Sequence, residues 1–150
     1  MGQHPGDEIG SRREARETAL GLLYSAEAHE IDPREVLASQ PVAPGEYTCL
    51  VVEGVAEHST EIDALIDCYA EGWTADRMPI VDRVLARIAV FELGHLSAVP
   101  TSAVLSEAVE LVGDYSTDRS SRFVNGLLSR IAAELRPHEL PVVADDEDQT

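Results

Sequence analysis

Apolar residues recur along most of this chain at steps of three and four, the spacing that gathers them on one face of an α-helix. Ala15, Ala19, Leu22, Leu23 and Ala26 form the first stripe, and Ser11-Arg12-Arg13-Glu14 ahead of it has the form of a capping box with Ser11 as N-cap. Asp32-Pro33 predicts a short second helix, a capping acid followed by proline at the first helical position, carrying Val36 and Leu37. Tyr47, Val51, Val55, His58, Ile62, Leu65 and Tyr69 make a longer stripe. A second capping signature, Thr60-Glu61-Ile62-Asp63, predicts a bend or restart near Ser59. Gly72-Trp73-Thr74 breaks the pattern and Pro79 opens the next helix. From Val84 to Leu93 only Arg87 and Glu92 are charged, so that helix is apolar nearly all round and belongs at the centre of a bundle. Val104, Ala108, Leu111 and Tyr115 mark a further helix, and Val124, Leu127, Leu128, Ile131 and Leu135 the last. Alternating strand patterns are missing. The predicted fold class is all-α, a helical bundle in two halves hinged near Trp73.

The ends read differently. Residues 1–10 are Gly-rich and aperiodic, which predicts a flexible arm, and 137–150 carry acids without a base, which predicts a disordered acidic tail. The helical domain then runs over 11–136, with subbundles of about 11–73 and 74–136. Within the last helix, Gly126 predicts close approach of a neighbouring helix, and Trp73 reads as core or hinge filler.

Charge narrows the functional classes. The 150 residues carry a net charge of −17, and all eleven basic side chains are arginine. Without lysine there is no Schiff-base nucleophile, no Walker-type lysine and no lysine general base. A strongly acidic chain also repels DNA and anionic membranes at long range, so any nucleic-acid contact has to be local and borne by arginine. Cys49 and Cys68 lie in apolar stretches and read as buried, reduced thiols. No apolar run approaches the roughly 20 residues of a membrane span, and a soluble cytoplasmic protein is expected.

Catalytic patterns are missing from the sequence. The histidines at 4, 29, 58, 95 and 138 show no pair at metal-ligand spacing, and His58, on an apolar face, reads as a satisfied core histidine. The glycines are too dispersed to cradle a phosphate, and no serine sits in a nucleophile elbow. Neither an enzyme, nor a cofactor, nor a metal is predicted. The placement of scarce positive charge says more. Arg12, Arg13 and Arg16 fall in the first predicted turns of helix one, and Arg119 and Arg122 flank the start of the last helix. Helix N-termini are the wrong place for cations and the right place for anions. Two readings stay open: a phosphate-binding cluster, or a solvated surface neutralised by Glu14 and Glu17.

Several segments, in order, resemble the NusB family of transcription antitermination factors. They are Arg12-Arg13-Glu14-Ala15-Arg16-Glu17-Thr18-Ala19-Leu20 with Leu23-Tyr24, then Glu61-Ile62-Asp63-Ala64-Leu65-Ile66, then Trp73 with Arg77-Met78. Val81-Asp82-Arg83-Val84-Leu85-Ala86-Arg87-Ile88-Ala89-Val90-Phe91-Glu92-Leu93 follows, then Glu107-Ala108-Val109-Glu110-Leu111 and Phe123-Val124-Asn125-Gly126-Leu127-Leu128. The resemblance implies a NusB-like bundle of two three-helix subbundles without catalysis. It implies boxA RNA and NusE, a ribosomal protein, as partners within an RNA polymerase antitermination complex. It places Arg12, Arg13, Arg16, Arg119 and Arg122 toward RNA, and Asp82 and Arg83 toward NusE. Some family members are expected to homodimerise. The chain departs from the family in its acidity, which keeps a second reading open: a NusB-like protein-interaction scaffold that has lost RNA binding.

Overall fold

The computed structural model describes residues 5–139, with side chains described over 12–138. Among the described residues there are seven α-helices: α1 (Pro5–His29), α2 (Pro33–Ala38), α3 (Glu46–Glu57), α4 (Ser59–Tyr69), α5 (Ile80–His95), α6 (Thr101–Tyr115) and α7 (Asp118–Leu135). Short 3-10 turns occur at Ala75–Arg77 and Pro137–Glu139, and no strand is found among the described residues. The all-α expectation holds.

Local chemistry explains several boundaries. Asp32 accepts a hydrogen bond from Arg34 N ahead of Pro33, as the proline-led start of α2 predicts. Thr117 caps α7 by accepting from Ser120 N. α1 ends in the left-handed Glu30 (φ 56°), with Ile31 N donating to Ala26 O at 3.0 Å, the hydrogen bond of a Schellman-type stop. The restart between α3 and α4 falls at His58, though without a side-chain cap.

α5 is the centre. Ten of its sixteen residues are buried, Leu85 and Ile88 among them, as its almost continuous apolar sequence predicts. α1, α2 and α3 pack on one another, α4 packs chiefly on α5 and α7, and α5 touches both groups. Gly54 makes the α3–α5 approach possible, because a Cβ there would collide with the Phe91 ring. Gly126 has no such neighbour; a Cβ at that position would meet only Arg130 of its own helix, at 3.4 Å. Two arginines brace the groups. Arg87 donates to both carboxylate oxygens of Asp63 on α4 and to Glu27 on α1. Arg136 inserts its guanidinium among the carbonyls of Glu92, Leu93, Leu96 and Val99, satisfying the end of α5.

Several further expectations are corrected. Residues 5–10 continue α1, so Ser11 lies inside the helix and not at its start; residues 1–4 of the expected arm, and 140–150 of the expected tail, lie outside the described residues. Tyr115 and Cys68 turn outward, and Cys49 is half-buried. Trp73 is 39% exposed and so is not core filler. No described helix is long and apolar enough to cross a membrane.

Candidate nucleic-acid interface

The five arginines singled out from the sequence divide by what they touch. Arg119 sits in the first turn of α7, Arg122 one turn later, and both are exposed with no ion pair among the described residues. For Arg119 the wrong-sign placement at a helix start is real, while Arg122 lies past the first turn and is free without it. Beside them lies a groove of about 540 Å³ lined by Trp73, Pro79, Ser116, Thr117, Arg119 and Phe123. Trp73 meets Phe123 edge to face, with ring centroids 5.2 Å apart.

The α1 arginines differ. Because α1 begins at Pro5, they lie beyond its first turn, where the helix-dipole argument no longer applies. Arg13 donates to Glu110 at 2.6 Å and Asp114 at 2.7 Å, with Glu107 3.7 Å away. Partial desolvation opposes its charge, but Glu110, Glu107 and Glu17 outweigh it and hold the guanidinium above its usual range. Arg12 stacks over the Tyr47 ring at 4.5 Å, at the rim of a second groove of about 530 Å³ that also reaches Pro100 and Ser106. Arg16 is 4% exposed and donates from Nε to Glu92, which also accepts from the Tyr47 hydroxyl. Burial raises the Glu92 carboxyl above the ordinary range, with Arg16 and Tyr47 offsetting only part of it. Arg16 is therefore mainly an internal brace between α1 and α5, reaching the second groove only at its edge.

Helix packing nonetheless places α1 beside the α6–α7 turn. Arg13 holds Asp114 and the Tyr115 hydroxyl donates to Glu17, a few residues of chain before Arg119. Sequence reasoning missed the aromatic part of this surface. Trp73 and Tyr115 are both exposed, but in the sequence Trp73 reads as core or hinge filler and Tyr115 as part of a buried stripe.

The expected partner pair turns inward. Asp82 is 0% exposed, and neither of its carboxylate oxygens has a hydrogen-bond partner. Its place in the first turn of α5 supplies the favourable helix dipole. Arg83 spends its guanidinium on Glu27 and on the carbonyls of Ala75, Asp76 and Met78, pinning the 3-10 turn between α4 and α5. In the free chain Asp82 is closed off from solvent, while Arg83 is engaged internally with 13% of its side chain exposed.

An all-helical bundle with free Arg119 and exposed Trp73 lining one groove between helices defines the class: an interface-bearing helical protein. Residues 13–133 match the model described as the NusB family. Relatives named transcription antitermination protein NusB include one from Salinispora arenicola, 48% identical over 130 residues, covering 81% of this chain and 95% of the relative. Another, from Kineococcus radiotolerans, is 45% identical, covering 83% and 94%. Among solved structures, T. maritima NusB superposes with a TM-score of 0.74 at 28% identity, covering 93% of this chain and 97% of that one. A crystal structure of antitermination factors NusB and NusE in complex with double-stranded RNA gives 0.71 at 30% identity, covering 83% and 97%. The chain belongs to the NusB family.

Proposed function

We propose that this chain is a transcription antitermination factor that binds boxA RNA of nascent ribosomal transcripts together with NusE, within an RNA polymerase antitermination complex in the cytoplasm. The observation that carries the reading is the pair of unpaired arginines, Arg119 and Arg122, beside the Trp73–Phe123 groove. Guanidinium groups take phosphates, and exposed aromatic faces take splayed bases of single-stranded RNA. Family membership, and a solved relative that holds NusE and RNA together, support the partners. Arg12 and Arg13 flank this surface as secondary contacts, Arg13 only after exchanging a carboxylate for a phosphate. For NusE, the reading keeps the start of α5 as the contacting edge. It moves the contact from Asp82 and Arg83 to their apolar neighbours, exposed Pro79 and half-buried Ile80 and Val81.

The chain's net charge of −17, and the internal pairing of Arg13 and Arg16, favour one alternative: a protein-interaction scaffold without RNA affinity. Titrating labelled boxA RNA with the chain alone, with NusE alone and with both separates them. Tighter binding by the mixture than by NusE alone supports the antitermination reading; no difference supports the scaffold.

A further inference from the structure

His58, Glu61 and His95 converge on one point of the surface. His58 occupies the turn between α3 and α4, Glu61 the first turn of α4, and His95 the last turn of α5. His58 Nδ1 lies 3.2 Å from Glu61 Oε1, and His95 Nε2 lies 3.3 Å from Glu61 Oε2. The two imidazoles stack with centroids 3.9 Å apart and planes 22° apart, and Phe91 lies stacked against both rings. Phe91 in turn is seated over Gly54, where a side chain would displace it. All three ligand atoms fall within 4.8 Å of one another, and this is the one such group of histidine, cysteine and acidic side chains among the described residues.

We propose that these three residues form a binding site for a divalent transition-metal ion, zinc being the best fit. Zinc takes imidazole nitrogen and carboxylate oxygen at roughly 2.0–2.2 Å in a tetrahedron, which puts neighbouring donor atoms about 3.3 Å apart. Each nitrogen–oxygen separation is close to that spacing, but the two histidines reach different oxygens of Glu61, so holding one ion requires Glu61 to chelate through both oxygens or to turn one oxygen toward both rings. Two imidazoles and one carboxylate are a borderline-soft donor set that suits zinc, nickel, cobalt or copper and disfavours magnesium and calcium. Binding needs both histidines neutral, with lone pairs on His58 Nδ1 and His95 Nε2, and Glu61 ionised through one or both oxygens. Water would complete the fourth position. The ligands join the α3–α4 turn to the end of α5, so a bound ion staples α3 and α4 to the central helix. The sequence hid the site because His58 and His95 lie on different helices, and only the seating of α5 against the α3–α4 turn brings them together.

The test uses the full untagged chain, since a histidine tag would compete. Titration calorimetry with zinc chloride is expected to give one ion per chain, and cobalt chloride the visible absorption of a four-coordinate site. His95→Gln and Glu61→Gln should each weaken binding by about tenfold or more, with circular dichroism confirming that both variants fold. The Cys49→Ser/Cys68→Ser variant should bind like wild type, and magnesium chloride should give no heat. Zinc should raise the thermal midpoint of wild type and leave His95→Gln unmoved. Absence of one-equivalent zinc binding, or binding that survives in both His95→Gln and Glu61→Gln, overturns the site and leaves the triad a pair of surface histidine–carboxylate bridges.

Discussion

Arg16 Nε donates to Glu92 Oε2 across 2.8 Å, with 5% of one side chain and 1% of the other exposed. The pair joins α1 to the middle of α5. Removing one partner leaves an uncompensated charge in the interior, so Arg16→Ala should cost about 3–5 kcal/mol in urea denaturation. Arg16→Met combined with Glu92→Leu should recover most of that loss, because apolar replacement of both partners leaves no charge buried. Equal midpoints for wild type and Arg16→Ala would remove the brace.

Asp82 leads to a related expectation with the opposite chemistry. With no exposed area and no hydrogen-bond partner, its site has no room for a guanidinium. Asp82→Arg should lower stability by roughly 3–5 kcal/mol, whereas Asp82→Asn keeps the shape and should stay within about 1 kcal/mol of wild type. Stable folding of Asp82→Arg with selective loss of NusE affinity would restore Asp82 to the partner surface.

For RNA, the free arginines should matter more than the paired ones. Arg119→Ala and Arg122→Ala should each reduce the log–log salt slope of boxA binding by about 0.7, weakening matched and scrambled RNA by similar factors. Arg13→Ala should have the smaller effect, because three α6 carboxylates already neutralise that guanidinium. A larger loss from Arg13→Ala than from Arg122→Ala, by fluorescence anisotropy over a salt series, would place the RNA on α1 instead.

Acid should loosen the brace at Glu27. Burial raises this carboxyl, but Arg87 and Arg83 outweigh it and hold Glu27 below the ordinary glutamate value. A depressed folded-state pKa stabilises the protein above the unfolded-state value, and that contribution disappears as pH falls through the folded-state value. Wild type should therefore exceed Glu27→Gln in stability at pH 7, and the gap should narrow below about pH 4, near the unperturbed glutamate value. Parallel pH profiles of the two denaturation midpoints would contradict this.

Core packing at α5 is testable by truncation. Leu85 and Ile88 are each 2% exposed, so Leu85→Ala or Ile88→Ala should cost about 2–5 kcal/mol through lost transfer energy and cavity formation. Calorimetric melting of both variants checks it, and wild-type midpoints would displace α5 from the centre.

Periodicity and punctuation in the sequence determined the helices and most of their buried faces. The stripe at Ala19, Leu22, Leu23 and Ala26, the Asp32-Pro33 start of α2, the break near Ser59 and the nearly all-apolar α5 follow from residues within a turn or two of one another. Helix starts without a strong cap were less legible, and α1 extends back to Pro5 past the Ser11 signature. Tertiary structure alone decided which charges are free. Arg16 and Arg122 look alike as sequence, yet Glu92 pairs with one and no described residue engages the other, because a salt-bridge partner is chosen by which helix faces pack. The same packing turned Trp73 and Tyr115 outward, turned Asp82 inward, and stacked His58 on His95. Local spacing fixes the face a residue occupies on its own helix; the neighbour that face meets comes from residues tens of positions away, and only the assembled bundle selects it.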